Sequence, residues 1–223
     1  MPKLAIVGYG KMGRLIDQLA PEYGFQVIAR VDVDRNESID GAEVAVEFSV
    51  PPAVLGNIGK AAALRIPIVI GTTAWLEHLA EARALIEANH SALVWSPNFS
   101  VGVNVFTRLV SEAARLLANE NEYGAWAWEI HHSTKKDAPS GTLIQLVDRM
   151  KAAGYRRNID ASSNRAGAHP GTHEIGFDSA ADTITLRHTA RSREGFARGA
   201  LKAAQWIIGR EGFYEFSDVL FGG

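Results

Sequence analysis

The chain has 223 residues, of which 47% are hydrophobic and 22% are charged, a composition typical of a globular protein with one large domain or two small ones. Its formal net charge of −2 gives no reason to expect nucleic acid or an anionic membrane as a partner. Cysteine is absent, which excludes disulfides, thiolate nucleophiles and cysteine-ligated metals.

The N-terminus predicts a strand over residues 3–7 rather than a targeting segment. This apolar run is too short for a signal peptide, and no apolar run in the chain approaches the ~20 residues of a membrane helix. We therefore expect a cytoplasmic protein without a membrane partner.

A glycine-rich turn follows the first strand and opens a helical pattern. It reads Gly8-Tyr9-Gly10-Lys11-Met12-Gly13. In such a turn the first glycine allows a tight bend, the second a close approach to a pyrophosphate, and the third a helix–strand contact. A second strand over residues 26–31 ends at Asp32, which is placed to accept hydrogen bonds from an adenosine ribose. The pattern predicts a nicotinamide dinucleotide site, with a glycine-rich turn of some other α/β protein as the alternative.

The choice between NADH and NADPH depends on three side chains near this turn. Asp32 favours NADH, because its charge would repel the 2′-phosphate of NADPH. Lys11 and Arg35 oppose that preference, although surface cations are commonly only solvated. We expect both cofactors to be used, with NADH moderately favoured.

Strands and helices continue to alternate up to residue 95. Strands are predicted at 42–49, 67–70 and 92–95, and helices at 53–64 and 76–88. This rhythm predicts a Rossmann-type, doubly wound parallel sheet, in which ligands bind beyond the carboxyl ends of the strands. Two turns fall at such ends and are predicted cofactor contacts, or else ordinary turn chemistry. They are Gly71-Thr72-Thr73 and Ser96-Pro97-Asn98-Phe99.

The second half of the chain has a different rhythm. The predicted elements are a crossover at 100–104, a helix at 105–117, a strand at 125–131, a helix at 143–153, a polar and poorly ordered segment at 158–170, strands at 173–177 and 183–189, and a helix at 195–209. The hairpin strands predict an α+β substrate domain, residues 102–193, inserted into a dinucleotide-binding domain of residues 1–101 and 194–223.

The segment from residue 128 to residue 142 carries the chemistry. It reads Trp128-Glu129-Ile130-His131-His132-Ser133-Thr134-Lys135-Lys136-Asp137-Ala138-Pro139-Ser140-Gly141-Thr142. Ser140 is a good N-cap, so the free N–H groups of the following helix predict an anion site. Histidines and lysines beside it can move protons near neutral pH. A polar surface loop is the alternative. With a nicotinamide cofactor, the residues predict a reductase of a small carboxylated substrate.

This segment resembles the active-site signature of the 4-hydroxy-tetrahydrodipicolinate (dihydrodipicolinate) reductase family, His-His-x-x-Lys-x-Asp-Ala-Pro-Ser-Gly-Thr. The Gly-Thr-Thr and x-Pro-Asn-Phe turns also resemble that family, and there they contact the nicotinamide side of the cofactor. The resemblance implies reduction of a cyclic dicarboxylate with NADH or NADPH in diaminopimelate and lysine biosynthesis, without a metal, by a homotetramer that pairs the sheets of its substrate domains.

The resemblance also implies a role for each residue of the loop. His131 resembles the acid/base residue and Lys135 the proton donor, while His132 resembles a substrate ligand. Ser140, Gly141 and Thr142 would cradle one substrate carboxylate, and Arg193 would meet the substrate from the far side unless it is simply solvated. Lys136 is expected to be dispensable.

The chain is shorter than typical family members, and no residue decides whether the substrate hydroxyl leaves on the enzyme. A catalytically inactive, NAD-binding regulatory protein of the same fold remains the alternative. A semialdehyde dehydrogenase would need a cysteine nucleophile, which this chain lacks.

Overall fold

The chain forms ten strands and seven α-helices within residues 1–222, the range that this computed structural model describes. The strands are β1 (Lys3–Val7), β2 (Gln26–Val31), β3 (Val44–Glu47), β4 (Ile68–Ile70), β5 (Ala92–Trp95), β6 (Gly124–His131), β7 (Ile159–Arg165), β8 (Thr172–Asp178), β9 (Thr183–Thr189) and β10 (Gly212–Glu215). The helices are α1 (Lys11–Leu19), α2 (Pro51–Ala63), α3 (Leu79–Ala88), α4 (Val101–Leu116), α5 (Gly141–Ala152), α6 (Glu194–Ile207) and α7 (Phe216–Phe221), with 3₁₀ turns at Ala20–Tyr23 and Leu76–His78.

Contacts divide the chain into two units. Unit 1 comprises Met1–Val101 together with the C-terminal part of the chain from Arg193, and unit 2 comprises Gly102–Ser192. The chain therefore leaves unit 1 once and later returns to it. No helix in the described range is both long enough and apolar enough to cross a bilayer.

Unit 1 is built on a six-stranded sheet in the order β10-β5-β4-β3-β1-β2, with every neighbouring pair parallel. The strand order reverses between β1 and β3, and such a switch point opens a crevice at the carboxyl ends of the strands. The glycine-rich turn after β1 lies at this point.

Helices cover both faces of this sheet. On one face α1 and α6 pack through Ile16, Leu19 and the small residues Ala200 and Ala204. On the other face, α2 and α3 bury their own apolar residues in a second core. Because both faces are buried, the strands are almost continuously apolar, as is usual for parallel sheets.

Unit 2 contains a four-stranded mixed sheet in the order β7-β6-β8-β9. β6 is parallel to β7 and antiparallel to β8, and β8 and β9 form a hairpin. Residues of α4 and α5, among them Phe106, Val110, Leu146 and Met150, are buried in one core with the sheet residues Ile175 and Phe177. The predicted fold class, a doubly wound parallel sheet with an α+β insertion, is confirmed.

The structure differs from the sequence-based prediction in three segments. The segment at 158–170 was expected to be poorly ordered, but it contains β7. α4 begins at Val101, so residues 101–104 of the expected crossover are helical. Beyond residue 209, where no element was expected, the chain adds β10 to the sheet and ends in α7.

Candidate functional site

Strand pairing in unit 2 places polar side chains from three strands in one row. Glu129 of β6 is paired with Ser163 of β7 and with His173 of β8. Two residues further along β6, His131 is paired with Arg165 of β7. Because side chains alternate along a strand, Glu129 and His131 lie on the same side of the sheet, and both are buried.

The carboxylate of Glu129 is the centre of this row. It is fully buried, and its Oε1 accepts hydrogen bonds from Ser140 N (2.8 Å), Arg165 Nη2 (2.9 Å) and Ser163 Oγ (3.0 Å). Its Oε2 accepts a hydrogen bond from Ser140 Oγ. Burial acts to raise the pKa of Glu129, but the bonds from Ser140, Arg165 and Ser163 outweigh it and lower the pKa to about 2. Glu129 is therefore an anion at neutral pH.

Two buried histidines face the same carboxylate oxygen. His131 Nδ1 lies 3.4 Å and His173 Nε2 lies 3.3 Å from Glu129 Oε2, and the two rings meet edge to face with centroids 5.0 Å apart. Burial lowers the pKa of His131, and it lowers the pKa of His173 to about 4 with a further contribution from His131. Both imidazoles are therefore neutral at pH 7.

The ligand atoms of Glu129, His131 and His173 lie within 4.8 Å of one another, as the ligands of a metal ion can. However, the carboxylate already has a cationic partner in Arg165 and accepts two bonds from Ser140. A second cation beside Arg165 would be repelled, so we interpret the group as a hydrogen-bonded cluster. That no metal takes part stays a prediction.

The loop after β6 holds the candidate proton donor. Lys135 Nζ donates to both carboxylate oxygens of Asp137, at 2.8 Å each, and its side chain is only 24% exposed. The neighbouring Lys136 is exposed. His132 Nδ1 lies 2.8 Å from Thr134 Oγ1. The hydrogen bond from Lys135 lowers the pKa of Asp137, so Asp137 is an anion at neutral pH, and a substrate carboxylate could take its place beside Lys135.

Arg165 connects this loop to the buried cluster. Besides its bond to Glu129, Nη2 donates to the main-chain oxygen of Asp137. The position of the loop that carries Lys135 is therefore coupled to the Glu129 carboxylate.

The prediction that Ser140 caps α5 is confirmed. Its Oγ accepts from Leu143 N at 3.2 Å, and its carbonyl accepts from Ile144 N at 3.1 Å. Its own N–H and hydroxyl both donate to Glu129, so neither is available to a ligand. This narrows the predicted carboxylate cradle to Gly141 and Thr142. A Cβ added at Gly141 would meet nothing within 4 Å, so the helix start is open.

In unit 1, the glycine turn is tight at its ends and open in its middle. Gly8 has φ +89°, and a Cβ there would lie 2.3 Å from the carbonyl oxygen of Phe48. A Cβ on Gly13 would lie 2.2 Å from the carbonyl oxygen of Gly8, whereas one on Gly10 would meet nothing within 4 Å. No side chain caps α1 at Gly10. An uncapped helix start with open space before it fits a dinucleotide pyrophosphate.

Two of the predicted cofactor segments line one cleft in unit 1. Its volume is about 480 Å³, and its lining includes Gly10, Lys11, Met12, Gly71, Thr72 and Thr73. A second cleft of about 520 Å³ is lined by the ends of β1 and β2, by residues 36–39 and by one face of α2.

Asp32 supports the glycine turn directly. Its Oδ2 accepts from Tyr9 N at 2.9 Å and its Oδ1 from Val33 N at 2.8 Å. The guanidinium of Arg35 lies 5.0 Å from the centre of the Tyr9 ring, and Lys11 is exposed. Asp32 thus has a structural role beside the ribose contact predicted for it.

The turn at residues 96–99 is stabilised by its own hydrogen bonds. Ser96 Oγ donates to the carbonyl oxygen of Asn98 at 2.8 Å and accepts from Asn98 N at 3.1 Å. The ring of Phe99 is 2% exposed and packs on Phe216 with centroids 4.8 Å apart. The Phe99 side chain is therefore part of the core and does not contact a cofactor. The cofactor contacts predicted for this turn are left to the backbone of Phe99 and to Ser96, Pro97 and Asn98.

Arg193 is exposed and lies in the N-cap position of α6, in unit 1. Its contact with a substrate stays a prediction.

Sequence reasoning missed four polar residues, three of them buried and one, Arg165, partly buried. Three of them, Glu129, Arg165 and His173, form the cluster around His131. The fourth is Glu47 at the end of β3, whose pKa is raised by burial and whose Oε2 has no hydrogen-bond partner among the described residues. The alternation of β6 was a usable signal, because it puts Glu129 on the side of His131.

Comparison with known proteins gives consistent matches over nearly the whole chain. The family model for the N-terminus of dihydrodipicolinate reductase matches residues 2–99, and that for its C-terminus matches residues 102–220. A 4-hydroxy-tetrahydrodipicolinate reductase from Christiangramia forsetii is 36% identical over 97% of this chain and 97% of its own. One from Thermosipho africanus is 37% identical over 98% of this chain and 97% of its own.

A solved structure shares the fold. The dipicolinate-bound dihydrodipicolinate reductase from Paenisporosarcina sp. TG-14 has a TM-score of 0.84 at 20% identity, covering 98% of this chain and 99% of that one.

Proposed function

The chain belongs to the dihydrodipicolinate reductase family, and we propose that it reduces 4-hydroxy-tetrahydrodipicolinate to tetrahydrodipicolinate in diaminopimelate and lysine biosynthesis. The reaction would consume NAD(P)H and one proton, and would release NAD(P)⁺ and water. The observation that carries the proposal is the loop from His131 to Thr142, which combines a lysine ammonium, two histidines and an open helix start.

Unit 1 would bind the cofactor, which when bound supplies a hydride. The N–H groups that begin α1 beside Gly10 would hold the pyrophosphate, and Asp32 would accept hydrogen bonds from the adenosine ribose. Gly71, Thr72 and Thr73 line the same cleft as Gly10 and would hold the nicotinamide end. We propose use of both NADH and NADPH, with NADH favoured by Asp32.

Unit 2 would bind the dicarboxylate and supply the proton. One carboxylate would rest on the N–H groups of Gly141 and Thr142, where it would displace Asp137 from Lys135. His132 would contribute a further polar contact, and Arg193 would meet the other carboxylate. Lys135 would donate the proton, and the neutral imidazole of His131 would act as the acid/base group.

A coupled assay tests the activity. Aspartate semialdehyde and pyruvate are supplied with the preceding synthase, and oxidation of NADH or NADPH is followed after addition of the purified chain. We expect oxidation that depends on the synthase. Tight binding of NADH without any turnover would instead support the inactive regulatory protein.

We propose a homotetramer assembled through the sheet of unit 2. Trp126 and Trp128 alternate with the buried Ala127 and Glu129, so they lie on the opposite face of β6 and are only half-buried. Light scattering on the purified protein should give the mass of four chains, and Trp128→Glu should reduce it. We also propose a cytoplasmic location, which cell fractionation would test.

A further inference from the structure

We propose that Glu129 is a positioning residue that fixes the tautomer of His131, holding the proton on Nδ1 and leaving Nε2 to exchange a proton with the substrate. This rests on the proposed function of His131 as the acid/base group.

The proton positions follow from Ser140. A hydroxyl has one proton to donate and two lone pairs that accept. The proton of Ser140 Oγ goes to Glu129 Oε2, because an ionised carboxylate can only accept. One lone pair accepts from Leu143 N at 3.2 Å. The other faces His173 Nε2, also at 3.2 Å, so His173 carries its proton on Nε2 and donates it to Ser140.

One acceptor site on Glu129 remains. Its Oε1 already accepts three hydrogen bonds, whereas Oε2 accepts the single bond from Ser140. His173 Nε2 also lies 3.3 Å from Oε2, but its single N–H is directed at Ser140 Oγ. The remaining lone pair of Oε2 is therefore left to His131 Nδ1, which lies 3.4 Å away. This nitrogen is buried and has no hydrogen-bond partner among residues 1–222.

Electrostatics then selects the tautomer. With the proton on Nδ1, the ring directs an N–H at the anionic oxygen, and a small rotation completes the bond. With the proton on Nε2, the lone pair of Nδ1 would face a carboxylate lone pair, and the buried nitrogen would stay without a hydrogen bond, which destabilises this tautomer. The Nδ1–H form is therefore favoured.

A glycine lies beside the other edge of the ring. A Cβ on Gly171 would lie 2.9 Å from His131 Nε2, and Gly171 has φ +134°, a conformation that suits glycine. Glycine at position 171 thus keeps a side chain away from the Nε2 edge, while Nδ1 faces Glu129. A positive charge on His131 is disfavoured by three nearby basic residues, Lys135, Arg165 and His132. The negative charge of Glu129 offsets this effect when the ring accepts a proton.

Nitrogen-15 NMR of the histidine side chains tests the tautomer in the unmodified protein. We expect His131 to be protonated on Nδ1 at pH 7 and His173 on Nε2. A His131 signal from the Nε2–H tautomer would overturn the proposal. This measurement needs no turnover, so it stands even if the protein proves to have no reductase activity.

The variant Glu129→Gln tests the consequence. The amide is similar in size but can present an N–H to His131 Nδ1, which would reverse the tautomer. We expect kcat to fall on the order of a hundredfold or more, while KM and the Kd for NADH change less than about threefold. The His131 signal should move to the Nε2–H form.

The matched control is Glu174→Gln, which removes a carboxylate from the same sheet. Glu174 pairs with Arg187 at 3.4 Å and lies outside the cluster. We expect kcat and the His131 signal to remain those of the unmodified protein. Native activity in Glu129→Gln, or an unchanged tautomer, would refute the positioning role and leave the proposed reaction intact.

Discussion

Acidification should destabilise the protein through His173. Burial, with a smaller contribution from His131, lowers the pKa of this imidazole from 6.5 to about 4, so the folded protein keeps it neutral. In the unfolded chain it regains the ordinary pKa. Its contribution to stability is therefore complete above pH 6.5 and is lost as the pH falls from 6.5 to about 4.

The size of this loss follows from the two pKa values. The difference between 6.5 and about 4, at about 1.4 kcal/mol per pKa unit, corresponds to roughly 3 kcal/mol of unfolding free energy. Glu129 stays ionised over this range because its pKa is about 2, so Glu129 does not contribute to the loss. Burial also lowers the pKa values of His131 and His188, and both act in the same direction as His173. The raised pKa of Glu47 acts in the opposite direction, because the folded protein protonates this carboxyl more readily than the unfolded chain does.

Two measurements check this prediction. Proton NMR titration of the histidine rings should place the midpoint of His173 near 4. Urea unfolding at pH 7 and pH 4.5 should reveal the loss of stability, and His173→Gln should lose less over the same interval. A His173 midpoint near 6.5, or equal stability of the unmodified protein at both pH values, would refute the reasoning.

Three further predictions concern matched substitutions. Lys135→Ala should lower kcat on the order of a hundredfold, while Lys136→Ala should be nearly silent, and comparable losses in steady-state assays would contradict the assignment. Asp32→Ala should weaken the binding of NADH and strengthen the binding of NADPH in calorimetric titration. Equal weakening of both would mean that Asp32 mainly holds the glycine turn. Gly8→Ala should lower Tm because of φ +89° and the backbone contact at 2.3 Å. Gly10→Ala should leave Tm unchanged, since its Cβ would enter open space, and should weaken the binding of both cofactors. Unchanged cofactor binding would exclude a pyrophosphate at this position.

The sheet of unit 1 could be predicted closely because its strands are buried on both faces and read as apolar runs. The prediction placed β1, β2 and β5 at the residues where the structure has them. α4 was predicted too short, because Gly102 in its first turn lowers helix propensity. β10 and α7 have four and six residues, too few for a periodic pattern to stand out.

β7 was missed for a reason connected with the site. Its sequence, Ile-Asp-Ala-Ser-Ser-Asn-Arg, lacks the apolar alternation of a strand. The inward positions near its end carry Ser163 and Arg165, which bond to Glu129 in place of an apolar core. These positions of the strand are polar because their side chains donate hydrogen bonds to a buried carboxylate.

The loop from His131 to Thr142 could be predicted because its residues are contiguous. The cluster could not, since Arg165 and His173 lie 36 and 44 residues beyond Glu129 in sequence, and only the strand register brings them to it.

The return of the chain to unit 1 has a consequence for its biosynthesis. A ribosome completes all of unit 2 before it makes α6 and β10, although α6 packs against α1 and against β3, β4 and β5. Until then, the apolar surface that Ala200, Leu201 and Ile207 later cover is exposed on the nascent chain. A chain that ended after residue 192 would therefore contain all of unit 2 but lack α6 and β10, and the sheet formed by its N-terminal residues could not complete its fold.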